Sequence, residues 1–289
     1  MASLKKRLTE NIEGDFYVDS TCINCGTCCQ FAPEIFADGG SHCYVFRQPV
    51  GAEETKHAMQ ALVACPVQAI GMKAGKVSEE VLASFPLLVD GDVYVNGYNS
   101  ASSYGADSYF IRNAEGNWMI DSPRFHPILV RQFQKLGGIQ YIFLTHRDDV
   151  ADADQYAQTF GAKRVIHKAD VSAQPDAEIV LDSTDDVLMG QARIVYTPGH
   201  TRGHCVLLWQ NKYLFTGDHL AWSPEADTFR AFRDYCWYSR KEQIRSVEKV
   251  ALYSGVGWVL PGHGVCKKIV PGTFPRLIRE TVRWMEDLA

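Results

Sequence analysis

Three cysteines spaced by two residues, Cys22, Cys25 and Cys28, followed at a distance by Cys65 directly before Pro66, constrain this chain more than any other feature. Thiolates at that spacing sit on a tight loop and reach three iron corners of a cubane cluster, and a fourth must return from a remote segment. Residues 53–64 supply a helix for that return. Ala58, Met59, Leu62 and Val63 recur at helical spacing, and Pro66 stops the helix so that Cys65 stands at its end. Gly26 and Thr27 are small enough for the backbone to wrap close around the sulfurs. Zinc is the rival for four cysteines, but structural zinc sites usually take two separate pairs. Cys29 and Cys43 are not needed as ligands and are expected to pack as small apolar residues.

The runs CINCGTC, CQFAPEIF and ACPVQAIG resemble the single-cluster bacterial ferredoxins over about residues 15–73. The resemblance implies one 4Fe-4S cluster used in electron transfer. An odd total of nine cysteines, crowded toward the N-terminal side, suits a reducing compartment better than a disulfide framework.

A chain of 289 residues suggests about two domains. The limits expected are 1–73 for the cluster domain, 74–85 for a linker and 86–289 for a larger domain. With 46% hydrophobic and 22% charged residues the composition is that of a globular protein. A net charge of −5 argues against nucleic acid as a partner, since that needs a basic face. No apolar run nears the ~18 residues needed to span a bilayer, and no apolar h-region follows Lys5, Lys6 and Arg7, so a membrane partner and export are not expected.

From residue 86 the pattern is β-rich. A hairpin is expected for 109–111 and 118–120 around Asn113–Gly116, with helices over 127–136, 240–254 and 276–287. In the second helix Ser239 and Glu242 read as a capping box and Gly255 as the residue past its end. Apolar runs 141–144, 193–196, 213–215 and 257–260 each end in a polar loop, and these loops carry His146, His200, Asp218 and His263. Four strand ends along one sheet edge can bring such groups onto a metal.

The loops THRDD, TPGHTRGH, TGDHLAW and PGHG resemble the signature loops of the metallo-β-lactamase superfamily over residues 86–289. That resemblance implies an α+β chain overall, a ferredoxin-like domain followed by a four-layer αββα sandwich. It also implies one or two transition-metal ions (zinc, iron or manganese). His146 and His200 match ligands of a first ion, Asp218 a bridging carboxylate and His263 a ligand of a second. The family pattern His-x-His-x-Asp-His is altered here: Asp148 replaces the second histidine, and Val150 and Ala151 stand in strict register where Asp and His belong. With two inserted residues Asp152 replaces that Asp, and Ala153 stands in for the His. Asp149 or Asp152 is expected to orient the nucleophile. His204 is expected in a hydrogen-bonded supporting role or as a substitute ligand, and His219 as a packed polar residue or a substitute ligand. Arg147 either binds an anionic group or pairs with Asp148 or Asp149.

A carboxylate in place of an imidazole hardens the site toward iron or manganese. The leading expectation is a metal-dependent hydrolase acting on a small molecule. The alternatives are an iron-dependent oxidoreductase that reduces oxygen or another small acceptor, fed by the cluster and an electron-donor protein, and a catalytically degenerate redox sensor or binding module. Chains that join these two domain types are similar to proteins of photosynthetic bacteria and plastids, which implies a cytoplasmic or plastid-stroma setting.

Overall fold

The computed structural model describes residues 2–288. The outermost positions of the expected domain limits, 1 and 289, lie outside them. Two compact units emerge, Met1–Gln140 with Ala151–Gly161, and Tyr141–Val150 with Ala162–Ala289. The change of sequence pattern near residue 86 therefore falls inside the first unit.

The first unit begins with β1 (Phe16–Val18), α1 (Thr27–Phe31), the hairpin β2 (Phe36–Asp38) and β3 (Cys43–Val45), α2 (Gly51–Ala64) and β4 (Ile70–Met72). β1 and β4 pair antiparallel, with Tyr17 opposite Gly71. Gly71 leaves room for that ring, because a Cβ there would lie 2.4 Å from Tyr17 Cζ. Phe16, Ile35, Phe36, Val45, Ala58, Ala61 and Ile70 form the core, on which Met59 and Leu62 pack while partly exposed. The expected linker holds a short helix, α3 (Glu79–Ala83), whose first turn is capped by Ser78 Oγ accepting from Val81 N at 3.2 Å.

Four strands continue the unit as an antiparallel meander: β5 (Leu87–Asp90), β6 (Val93–Val95), β7 (Tyr109–Ile111) and β8 (Trp118–Ile120). The hairpin expected from the Asn-Ala-Glu-Gly turn is the β7–β8 pair, with Ile111 opposite Trp118. α4 (Pro127–Lys135) buries Leu129, Val130 and Phe133, and α5 (Ala153–Phe160) buries Ala153, Tyr156 and Ala157. Ile128 and Leu136, expected inward, remain partly exposed, and Val130 takes the inward position instead.

In the second unit β9 (Tyr141–Phe143), β10 (Lys163–His167) and β11 (Ile179–Leu181) run parallel. A second sheet has the order β12 (Val187–Met189), β13 (Ala192–Tyr196), β14 (Cys205–Trp209), β15 (Tyr213–Gly217), β18 (Trp258–Pro261) and β19 (Lys267–Lys268). The hairpin β16 (Ala221–Ser223) and β17 (Thr228–Arg230) lies between β15 and β18 in sequence. α6 (Arg240–Val250) and α7 (Phe274–Asp287) bury Val247, Val250, Phe274, Ile278, Val282 and Met285 in one apolar cluster with Val195, Val206, Leu214 and Val259 of the sheet. β14 and β15 are buried along their whole lengths, which explains why they read as unbroken apolar runs.

α6 departs from expectation at both ends. Ser239 Oγ accepts from Glu242 N at 3.2 Å, but the Glu242 carboxylate turns to Arg245 at 2.7 Å, so only half the capping box forms. The helix stops at Val250, and 251–253 follow as three-residue turns. Gly255 serves packing, since a Cβ there would meet Asn211 Nδ2 at 2.4 Å.

Candidate metal centre and cluster cage

The four cysteines expected to hold the cluster lie in the first unit. Cys22, Cys25 and Cys28 follow β1 into α1, and Cys65 is the residue at which α2 ends, its N–H donating to Ala61 O at 3.0 Å. All four line one cavity with apolar walls from Val18, Val67 and Ile70. Backbone donors face the sulfurs: Ala69 N lies 3.3 Å from Cys65 Sγ, and Cys43 N lies 3.4 Å from Cys22 Sγ. Burial pushes the Cys25 thiol up to about 11 and raises that of Cys65. Thiolates there need cationic partners, and four of them with N–H donors around the sulfurs suit an iron-sulfur cluster.

Cys43 lies in this cavity too, with its Sγ 3.5 Å from that of Cys29. By spacing alone Cys43 reads as a packing residue. Its place beside Cys22 depends on how the β2–β3 hairpin folds back, and no spacing rule announces that.

The second unit gathers the imidazoles and carboxylates. β9 runs toward Thr145 and His146, β13 toward the loop of His200, β15 toward Asp218 and β18 toward His263, so four strand ends supply one group of side chains. His200 Nε2 is 3.3 Å from Asp148 Oδ2 and 3.6 Å from Asp218 Oδ2. His146 Nε2 is 3.8 Å from Asp148 Oδ2 and 3.7 Å from Asp218 Oδ2, and His263 Nε2 is 3.8 Å from Asp218 Oδ2. Two triads have donor atoms mutually within 4.8 Å: His146, Asp148 and His200, and His146, Asp149 and Asp218. A Cβ on Gly262 would meet Asp218 Oδ1 at 2.8 Å and Asp149 Oδ2 at 3.0 Å, so glycine is required where the chain leaves β18 beside these carboxylates.

Hydrogen bonds orient the rings. Thr145 Oγ1 is 3.0 Å from His146 Nδ1, which leaves Nε2 facing the carboxylates, and Thr197 Oγ1 is likewise 3.0 Å from His204 Nδ1. Among the described residues His146 Nε2, His200 Nε2, Asp148 Oδ2 and Asp218 Oδ1 are buried without a hydrogen bond. Each such atom costs about 1–3 kcal/mol, and a cation placed among them satisfies all of them together. Burial lowers His146 to about 4, so its ring is neutral and fit to ligate at neutral pH. Burial opposes ionisation of Asp218, but the imidazoles of His263, His146 and His200 outweigh it and hold the carboxyl below its usual range. The donor set fits a metal centre rich in carboxylate oxygen.

One expected residue falls elsewhere. Asp152 does not join the group: its carboxylate accepts from Phe125 N at 2.6 Å and from Gln155 Nε2 at 3.0 Å, at the head of α5. Asp149, expected to orient the nucleophile, is buried with an oxygen within 4.8 Å of potential ligand atoms of Asp218 and His146. His219 sits past the end of β15, its N–H bonded to Thr216 O, and stacks on His204 with ring centroids 5.2 Å apart. Arg147 pairs with Asp148, Nε to Oδ1 3.5 Å.

One positioning group has no signature in the sequence. The buried Asp170 carboxylate accepts from Arg147 N at 3.2 Å, Thr201 Oγ1 at 2.5 Å and Gly203 N at 2.9 Å, tying the His146 loop to the His200 loop. Asp170 lies in an ordinary polar stretch after β10, so only the folded contacts single it out.

Comparison with known proteins agrees with this two-part construction. Residues 18–72 match the family of the 4Fe-4S single cluster domain of ferredoxin I, and residues 87–269 match the metallo-beta-lactamase superfamily. The chain belongs to the metallo-β-lactamase superfamily and carries a ferredoxin-type 4Fe-4S domain. A hydroxyacylglutathione hydrolase of Cereibacter sphaeroides is 29% identical over 142 residues, 47% of this chain and 56% of that protein. One of Pelagibacter ubique is 30% identical over 107 residues, 35% of this chain and 45% of its own length. The lactamase-like protein nscB of Neosartorya fischeri is 26% identical over 195 residues, 63% of this chain and 54% of that one. The chain thus spans about half the length of the curated relatives it matches. Among solved structures, the DIM-1 metallo-beta-lactamase superposes with a TM-score of 0.56 at 17% identity, over 70% of this chain and 96% of that one. The metallo-beta-lactamase from Pontibacter korlensis gives 0.54 at 17% identity, over 69% and 97%. These likenesses show the αββα sandwich fold that the sequence resemblance implies. Among the described residues no helix is long and apolar enough to cross a membrane.

Proposed function

We propose that the chain is a metal-dependent hydrolase of small acyl compounds, thioesters foremost, with one 4Fe-4S cluster held by Cys22, Cys25, Cys28 and Cys65. The observation that carries the reading is the approach of three imidazole nitrogens, from His146, His200 and His263, to the single oxygen Asp218 Oδ2 at 3.6–3.8 Å. His146, Asp148 and His200 would hold one ion, Asp149 and His263 a second, and Asp218 would serve both. Metal ions bound there supply Lewis acidity, which polarises a carbonyl and makes water nucleophilic near neutral pH. The chain's own part is orientation. Asp149, with an oxygen beside Asp218, accepts a hydrogen bond from the attacking water and fixes its direction. Trp237, whose N–H donates to His200 O at 2.9 Å and whose ring centre lies 6.3 Å from that of His200, offers an exposed apolar wall to the acyl part. Homology to proteins named hydroxyacylglutathione hydrolases supports a thioester substrate.

The test is anaerobic purification with iron, zinc, manganese and sulfide counted per chain, followed by thioester, lactone and β-lactam hydrolysis assays. Bound metal and thioester turnover that both vanish in Asp218→Ala are expected. A metal-free protein with no turnover of any of these would overturn the proposal.

A second reading has its own support. Asp148, Asp149 and Asp218 give the centre three carboxylates, a hard donor set suited to iron, and a thiolate cage stands on the same chain. An iron-dependent oxidoreductase drawing electrons from the cluster would consume oxygen when the iron-loaded protein is reduced. An absence of oxygen uptake by that protein, measured with an electrode, would sink it.

A further inference from the structure

The cluster cage is not closed by the ferredoxin-type segment alone. Cys65 ends α2, and the last carbonyls of a helix have no partner within it. Here those carbonyls meet a guanidinium from far along the chain: Arg124 Nη2 donates to Val63 O at 2.7 Å, and Nη1 to Cys65 O at 3.1 Å and Asn99 O at 3.0 Å. No carboxylate pairs with Arg124 among the described residues, and its guanidinium lies over the Tyr98 ring, 5.4 Å from the centroid.

The segment 99–107 forms the rest of the closure. Asn99 N donates to Ala64 O at 3.2 Å, and Asn99 Nδ2 to Gly105 O and to Asp107 Oδ1, both at 2.8 Å. Thr27 Oγ1, 3.2 Å from Cys25 Sγ, donates to the same Gly105 carbonyl at 3.1 Å. Gly105 has a φ of +85°, and a Cβ on it would lie 2.9 Å from both Cβ and Sγ of Cys25 and 3.0 Å from Pro66 Cγ. Its backbone is thus packed onto the sulfur of one expected ligand and the proline that follows another. All of these residues beyond 72 belong to the stretch that matches the metallo-β-lactamase family, not the ferredoxin family.

We infer that Arg124 and Gly105 are positioning residues for the iron-sulfur cluster: Arg124 clamps the helix end that presents Cys65 and places positive charge beside it, and Gly105 seals the cage over Cys25. This rests on the cluster reading above. Reducing a cluster adds negative charge, so a nearby cation favours the reduced form, and taking it away makes the potential more negative. Arg also bridges three carbonyls with a fixed fork, which a lysine cannot reproduce.

The experiment uses the full chain, reconstituted anaerobically, as wild type and as Arg124→Gln, Arg124→Lys and Gly105→Ala. Read out are iron and sulfide per chain, the electron-paramagnetic-resonance midpoint titration and the rate of iron loss to a chelator, with circular dichroism to report folding. Arg124→Gln is expected to shift the midpoint negative and release iron about tenfold faster, the usual scale for a lost supporting contact at a metal site. Arg124→Lys should recover the potential while still releasing iron fast, a split that a purely structural role would not produce. Gly105→Ala should lose iron with the charge unchanged, and it carries the test if Arg124→Gln fails to fold. Wild-type potential and release rate in folded Arg124 variants, with full iron in Gly105→Ala, would overturn the inference while leaving the cluster in place. A wild-type chain that takes up no iron and sulfide would instead remove the cluster reading and this inference with it.

Discussion

Asp148 is the residue on which the chemistry of the proposed metal centre turns. Its Oδ2 stands 3.3 Å from His200 Nε2 and 3.8 Å from His146 Nε2, where the family pattern would place an imidazole. Asp148→His restores the softer donor and is expected to raise the zinc-to-iron ratio of the purified protein severalfold, as elemental analysis would show; an unchanged ratio would mean that Asp148 does not choose the metal. Asp170 acts one step further back. Removing its carboxylate in Asp170→Ala strands the Arg147 and Gly203 N–H groups and the Thr201 hydroxyl, with an expected loss of about 2–3 kcal/mol in urea unfolding. Metal affinity should fall about tenfold with it, because two ligand loops lose their common tie.

At the scale of elements, two histidines cap helices by accepting hydrogen bonds, which fixes their protonation. His126 Nδ1 accepts from Ile128 N at 3.3 Å at the head of α4, and His167 Nδ1 accepts from Ala169 N at 3.2 Å before the 3-10 turn Lys168–Ala173. Both have their pKa lowered, chiefly by burial. A histidine with a depressed folded-state pKa binds fewer protons than the unfolded chain just below about 6.5, so its contribution is complete above that value and is lost as the pH falls through it toward the folded pKa. Urea midpoints are expected to drop on acidification below about pH 6.5, and the drop should shrink in the double variant His126→Asn, His167→Asn, since asparagine caps without titrating. A variant with the wild-type pH profile would place the acid sensitivity elsewhere. In α7, Phe274 is fully buried and meets Phe229 edge to face at 6.0 Å, so Phe274→Ala should cost about 3–5 kcal/mol in the same assay.

For the molecule as a whole, the proposed cluster is a ligand of the native state only, so occupancy and stability are linked. Stripping iron with chelator under reducing conditions is expected to lower the thermal midpoint of the full chain and to make Cys22, Cys25, Cys28 and Cys65 reactive toward a thiol reagent. An unaltered midpoint would show that the four thiols hold their places without iron. Chain order also matters at this scale. The segment Ala151–Gly161 groups with the first unit and Tyr141–Val150 with the second, so the altered ligand loop ends where the chain passes from one unit to the other. That passage explains the fate of Asp152. Two residues beyond Val150 the chain has turned into the head of α5, where Phe125 N donates to the carboxylate, whereas Asp149 stays with the candidate ligands His146 and Asp218.

The regular parts were legible in the residues because local rules govern them. Cysteine spacing marked four residues that line one cavity, periodicity marked α2, α4, α6 and α7, and apolar runs ending in polar loops marked the strand ends. Those features depend on neighbours within a few positions. What only the tertiary structure decided depends on partners far away in sequence: Asp149 rather than Asp152 beside Asp218, Asp170 tying two loops, Cys43 donating its N–H to Cys22, and Arg124 bonded to the carbonyl of Cys65. A single hydrogen bond between segments 59 residues apart leaves no periodic trace in a chain, since nothing adjacent to either end must change to allow it.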